Sequence, residues 1–134
     1  MSFSESTRFT QRKYDQSLAW CKETGHPQPQ HLLYPRTKGF VTTVQRLRKA
    51  PHVKAVYDFT IAYQQGVEFQ APPSIWDTLS LPGLSDRLGY RFHVHARRFP
   101  MDTLPEKDED LAKWLEERWI KKGEWLEAQR MAWG

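Results

Sequence analysis

The sequence of 134 residues contains a single cysteine, Cys21, so no internal disulfide can form. This argues against a small secreted fold held together by disulfides. No run approaches the roughly 18 uncharged, apolar residues that a membrane-spanning helix needs. The first residues show neither the basic nor the apolar region of a signal peptide, and no internal repeat or low-complexity tract occurs. Taken alone, the sequence predicts a soluble or peripheral protein.

The composition is that of a folded domain with a mildly basic surface. Hydrophobic residues make up 39% and aromatic residues 13% of the chain, enough for one compact core. The formal charge of +4 suits an anionic ligand, an acidic lipid surface or a nucleic acid, or serves solubility alone. A nucleic-acid partner is not favoured, because lysine and arginine are scattered and no nucleic-acid-binding motif occurs.

Hydrophobic periodicity predicts helices over residues 11–24, 39–49 and 108–129. Gly25 ends the first helix and Pro51 follows the second, as helix-terminating residues do. Acidic residues fill the first turn of the third helix, which favours its dipole. The predicted inner stripe of this helix is Leu111, Trp114, Leu115, Arg118 and Trp119.

Alternating apolar and polar residues predict strands over residues 53–63 and 90–99. A brief buried strand is predicted over residues 32–34, and residues 66–89 are predicted to form a packed loop with short turns. Asp58 is interpreted as a hydrogen-bonded strand residue rather than a catalytic acid. Because strands and helices alternate, the predicted class is α/β.

Four segments of the sequence, in order, carry a recognisable pattern. Residues 3–10 read Phe-Ser-Glu-Ser-Thr-Arg-Phe-Thr, residues 31–40 read His-Leu-Leu-Tyr-Pro-Arg-Thr-Lys-Gly-Phe, and residues 55–63 read Ala-Val-Tyr-Asp-Phe-Thr-Ile-Ala-Tyr. A fourth segment runs from His93 through Arg-Arg-Phe-Pro at 97–100 to Leu-Ala-Lys-Trp-Leu at 111–115. Together they resemble the C-terminal half of the lysophosphatidic acid and lysocardiolipin acyltransferase branch of the glycerolipid acyltransferase family.

This resemblance implies a fold, an activity and a location. The expected fold is a partial acyltransferase sheet with flanking helices and a C-terminal helical extension. Residues 1–65 would be the second half of the catalytic domain and residues 66–134 the C-terminal domain. The full-length parent would transfer an acyl group from acyl-CoA, as co-substrate and with no other cofactor, to a lysophospholipid, at the endoplasmic reticulum membrane.

The reaction needs a general base to take the proton of the attacking hydroxyl. In the family this base is the histidine of a His-x-x-x-x-Asp motif. None of the five histidines has an aspartate at that spacing, so the motif is expected upstream of this chain. We therefore assign no catalytic residue, expect no imidazole beside a carboxylate, and expect the chain to be an inactive fragment.

By resemblance, five residues hold the phosphate of the lysophospholipid: Glu5, Thr7, Arg8, Arg36 and Lys38. A guanidinium grips phosphate oxygens in a bidentate manner. In the alternative interpretation, Arg8 is a surface cation and the other two cations are solvated residues at a helix start. Ser4 and Ser6 stand where the family has proline and glycine. If that glycine permits a positive φ, serine costs roughly 1–2 kcal/mol.

Two other groups of residues have simpler interpretations. His93 and His95 share a strand face with Arg91 and Arg97, whose charge would repel a metal ion, so no metal site is assigned. Cys21 is interpreted as a buried apolar residue rather than a nucleophile.

Two functional hypotheses follow. An acyltransferase fragment predicts a sheet that is missing neighbours, with apolar surface exposed. A non-enzymatic lipid- or membrane-surface-binding module is the alternative, in which basic and aromatic residues contact anionic lipid. The C-terminal tryptophans fit either core packing or an interfacial position.

Overall fold

A computed structural model describes residues 2–79 and 88–134 of the chain, without the side chain of Thr78. A single 3-10 turn at Met101–Thr103 precedes the last helix. The helices and strands, in chain order, are α1 Gln11–Thr24, α2 Thr37–Leu47, β1 Ala55–Gln65, β2 Glu68–Phe69, α3 Ile75–Leu79, β3 Tyr90–Pro100 and α4 Asp108–Trp133.

Helix α1 has the predicted bounds because both of its ends are capped. At the start, the Thr10 side chain accepts a hydrogen bond from the backbone N–H of Lys13 at 3.2 Å. At the end, Gly25 adopts a left-handed conformation with φ 75°. Cys21 on its inner face is buried, as predicted, and burial raises the pKa of its thiol.

The mixed helix and strand class is confirmed, and the sheet is antiparallel with the order β2-β1-β3. β3 runs back along the whole of β1, so Gln65 pairs with Tyr90 and Ala55 with Pro100. The predicted loop over residues 66–89 contains β2 and α3, and its residues 80–87 lie outside the described part of the chain. The division at 65/66 stays a prediction.

The brief strand predicted over residues 32–34 is wrong. Leu33 is buried, but its neighbours bond to side chains instead of to a strand. The Tyr34 N–H donates to Ser17 Oγ at 3.0 Å, and the Leu32 carbonyl accepts from Gln28 Nε2 at 2.9 Å. These bonds satisfy the backbone groups that a strand partner would otherwise satisfy.

The main core lies between α2 and α4. Helix α2 begins earlier than predicted, because Arg36 is its N-cap residue, and it ends at Leu47 ahead of Pro51. Helix α4 has the predicted inner stripe and continues to Trp133. The buried members of this core are Phe40, Val41, Val44, Met101, Leu104, Leu111 and Leu115.

Helix α4 covers the β1 part of the polar sheet face, while the polar residues of β3 and the whole apolar face are exposed. On the polar face, Thr60, Ala62 and Gln64 are buried beneath α4, whose Trp125 packs on the His93 and His95 rings. The opposite surface, called here the apolar sheet face, is about half exposed and consists of Tyr57, Phe59, Ile61, Phe92 and Val94. Exposed apolar surface on the sheet was the expectation for an acyltransferase fragment.

Candidate phosphate-binding loop

Residues 3–8, called here the motif loop, form a tight turn held against the start of α2. The Ser6 N–H donates to the Phe3 carbonyl at 2.9 Å, and the Arg36 N–H donates to the Ser4 carbonyl at 2.7 Å. Ser6 has φ 60°. This is the left-handed region that favours glycine, so the serine occupies a position whose backbone suits the glycine of the family motif.

Glu5 points into the protein rather than toward solvent. Its carboxylate accepts a hydrogen bond from Trp119 Nε1 at 3.1 Å. Burial raises the pKa of Glu5, and bonds from Trp119 and the Leu33 backbone, with the charge of Lys122, partly offset this rise. In this structure Glu5 therefore fastens the motif loop to α4, and a direct contact with substrate phosphate stays a prediction.

Thr7 and Arg8 lie at the exposed end of the motif loop. Lys13 Nζ donates to Thr7 Oγ1 at 2.5 Å and to the Arg8 carbonyl at 3.3 Å, which fixes the backbone here. Burial raises the pKa of Tyr63, and the nearby positive charge of Arg8 partly offsets this rise. The charge of Arg8 therefore acts on Tyr63, a residue near the end of β1.

The three predicted phosphate-binding cations have side chains available to a ligand. Within the described residues, no hydrogen bond or ion pair engages the side chains of Arg8, Arg36 and Lys38. Arg36 and Lys38 stand at the start of α2, where no side chain caps the first backbone N–H groups. Such a helix start with adjacent cations favours an anion.

A buried charge cluster joins β1 to α4 behind the motif loop. Asp58 accepts from Lys122 Nζ at 2.5 Å and from Arg118 at 3.3 Å, and all three side chains are nearly buried. Lys122 also donates to the Phe59 carbonyl at 3.1 Å. This confirms Asp58 as a hydrogen-bonded strand residue. Sequence reasoning missed Lys122, although it lies one helical turn after Arg118 on the inner stripe.

The expectation that no imidazole lies beside a carboxylate is wrong. His31 Nε2 lies 2.5 Å from Glu127 Oε2, and His26 Nδ1 lies 3.0 Å from Glu116 Oε2. Arg130 also binds Glu127, and hydrogen bonds first from Arg130 and then from His31 lower the pKa of Glu127 to about 2. Both pairs form because α4 packs back on residues 26–31, a contact that local spacing does not reveal.

The His31–Glu127 pair borders an open cavity of about 370 Å³. Its lining residues are Phe9, Gln11, Tyr14, Gln30, His31 and Glu127. None of the three predicted phosphate-binding cations, Arg8, Arg36 and Lys38, lines this cavity. The structure therefore does not bring this imidazole–carboxylate pair together with the predicted phosphate-binding residues in one cavity.

The other predicted residues have packing roles. His93 and His95 each lie 5.3 Å from Trp125, ring centre to ring centre. Trp114 stacks on Phe40 and contacts Phe99 edge-on, against the core. Over the described part of the chain, no three His, Cys, Asp or Glu residues are grouped to hold a metal ion, and no helix is long and apolar enough to cross a bilayer.

Comparison with known proteins shows that the chain is similar to lipid acyltransferases. A family model described as the acyltransferase C-terminus matches residues 86–128. The matched segment contains β3 and most of α4, including the two cations that hold Asp58. This confirms the resemblance of the chain to the lysophosphatidic acid and lysocardiolipin acyltransferases, in the C-terminal part of those proteins.

Three relatives show the extent of this similarity. Lysocardiolipin acyltransferase 1 of Mus musculus is 33% identical over 124 residues, covering 92% of this chain and 31% of that protein. The delta 1-acyl-sn-glycerol-3-phosphate acyltransferase of Homo sapiens is 33% identical over 118 residues, covering 88% and 28%. 1-Acyl-sn-glycerol-3-phosphate acyltransferase 3 of Arabidopsis thaliana is 34% identical over 125 residues, covering 93% and 30%.

The chain thus spans about a third of the length of these relatives, 28% to 31%. No solved structure gives a significant match.

Proposed function

We propose that this chain is the substrate-phosphate portion of a lysophospholipid acyltransferase and does not transfer acyl groups by itself. The carrying observation is the 2.7 Å bond between the Arg36 N–H and the Ser4 carbonyl, which holds the motif loop at the start of α2. This contact joins the loop that carries Arg8 to the helix start that carries Arg36 and Lys38. In this proposal, these cations bind the phosphate monoester of the acceptor lipid.

The conformation of Ser6 supports the proposal. The motif turn adopts the positive φ that glycine permits, although a serine occupies the position. A turn of this kind exposes successive backbone groups and allows a ligand to approach closely. The motif loop therefore keeps a backbone suited to phosphate at some cost in stability.

In this proposal, the step of acyl transfer that the chain cannot perform alone is removal of the hydroxyl proton. In the proposed parent enzyme, the hydroxyl of the lysophospholipid attacks the acyl-CoA thioester while a base takes its proton. The His-x-x-x-x-Asp motif that supplies this base in the family has no counterpart in the sequence. The His31–Glu127 pair does not replace it, because none of the three predicted phosphate-binding cations lines its cavity.

Location at the endoplasmic reticulum membrane is part of the same proposal.

A second candidate is a module that binds an anionic membrane surface without chemistry. The observation favouring it is exposed apolar surface on α3, where Ile75 is 67% and Trp76 is 80% exposed. Exposed tryptophan is typical of an interfacial contact. This module would bind anionic vesicles in proportion to their charge, without selecting a phosphate monoester.

Binding of a short-chain lysophosphatidic acid, measured by titration calorimetry below its micelle concentration, tests the proposal. Substitution Arg8→Gln should weaken binding about tenfold or more, as expected for loss of a charge-assisted bidentate contact. The matched control is Arg12→Gln, which removes an exposed arginine from the adjacent helix. Equal affinities in the two variants would refute the assignment of Arg8. Equal binding of lysophosphatidylcholine would favour the membrane-surface module.

A further inference from the structure

The apolar sheet face is built from neighbouring exposed apolar side chains on β1 and β3. Across the two strands, Ile61 pairs with Val94, and Phe92 pairs with the half-buried Tyr63. The side chains of Tyr57, Phe59 and Ile61 are 58%, 58% and 50% exposed. Contiguous exposed apolar surface of this kind marks an interaction site.

The fold leaves this face uncovered because α4 occupies the other one. Helix α4 is fixed on the polar face by the Asp58 contacts with Arg118 and Lys122. Moving α4 to the apolar sheet face would separate Arg118 and Lys122 from Asp58. Another layer would therefore have to cover the apolar sheet face.

The outer edge of β3 favours a protein layer over lipid. β3 is an edge strand of the described sheet, so along Tyr90–Pro100 the backbone groups that point away from β1 have no strand partner. In a bilayer core such unpaired groups cost several kcal/mol each. A protein can supply a strand for this edge and an apolar layer for the adjacent face.

We propose that the apolar sheet face binds the portion of a lysophospholipid acyltransferase that precedes the matched C-terminal region. This rests on the proposed function, and on the chain spanning only 31% of the mouse lysocardiolipin acyltransferase 1. The rest of such a protein is long enough to supply both a strand and an apolar layer.

Co-expression tests this contact. The chain carries an affinity tag and is produced together with the mouse relative truncated before its matched region. Capture should recover the truncated relative, and Ile61→Asn or Val94→Asn should reduce recovery about tenfold or more, as expected for loss of a buried aliphatic side chain. Val67→Asn is the matched control, since Val67 is 95% exposed and lies outside the apolar sheet face.

Three results would overturn the proposal. The first is no capture of the truncated relative by the unsubstituted chain. The second is binding of anionic phosphatidic acid vesicles that the face substitutions abolish while capture persists. The third is self-association of the chain that Val94→Asn abolishes, which would identify a second copy as the occupant. Val94→Asn should leave lysophosphatidic acid binding by the isolated chain unchanged. Measuring that binding therefore tests the proposed phosphate site independently of the proposed contact at the apolar sheet face.

Discussion

Replacing Ser6 by glycine should stabilise the chain. Ser6 has φ 60°, and the left-handed conformation costs an L-residue roughly 1–2 kcal/mol. Glycine avoids this cost but loses about 0.5–1 kcal/mol more through its greater freedom in the unfolded chain. Within the described residues, no hydrogen bond to the Ser6 hydroxyl is lost. The expected net gain is about 0.5–1 kcal/mol, or roughly 2–4 °C in Tm.

Two control variants separate the backbone effect from other consequences of the substitution. Ser6→Ala keeps the Cβ atom and should show no gain. Gly25→Ala tests the reverse change, since Gly25 has φ 75° and open space around its Cβ position. It should lose about 1 kcal/mol.

The assay is urea denaturation followed by tryptophan fluorescence, with thermal unfolding as a second measure. If Ser6→Gly is no more stable than Ser6→Ala, the positive φ of the motif loop is not a source of strain. The interpretation of this turn as a glycine position would then be refuted.

Three further predictions concern the packing of α4. Asp58→Asn should destabilise the fold by about 3 kcal/mol in denaturant titration, because two buried cations lose their counter-charge; an isostable variant would contradict this. Gly123→Ala should cost about 1–2 kcal/mol by the same assay, since the added Cβ would lie 2.6 Å from the Gln30 backbone N and the overlap outweighs the gain in helix propensity. The lowered pKa of Glu127 contributes stability above pH 4.5 that is lost as pH falls through about 2. Thermal unfolding should therefore give Glu127→Gln a lower Tm than the unsubstituted chain at neutral pH, and the same Tm below pH 2. A Tm difference that does not change with pH would show that the ionised Glu127 does not stabilise the fold through Arg130.

Local sequence signals predicted the regular elements well. Thr10 and Gly25 delimit α1, and alternation identified β1 and β3 to within a few residues. The brief strand at residues 32–34 failed because an apolar run cannot report that Ser17 and Gln28 satisfy its backbone. Alternation also could not show which strand face α4 covers, since that depends on ion pairs between distant residues.

The candidate site was predictable only in part. The motif loop and the start of α2 are two separate segments of the family pattern, and the structure joins them through the Ser4–Arg36 backbone bond. The inward turn of Glu5 toward Trp119 connects residues at opposite ends of the chain. The His31–Glu127 contact likewise depends on the packing of α4, so no local spacing could predict it.

The most direct test of the account is release of free thiol from acyl-CoA in the presence of lysophosphatidic acid. In the proposed function the purified chain gives no rate above the background without protein, because no histidine of the sequence has an aspartate at the spacing of the family's catalytic base. Robust turnover that His31→Gln abolishes would contradict the account, and would make the His31–Glu127 pair the catalytic base.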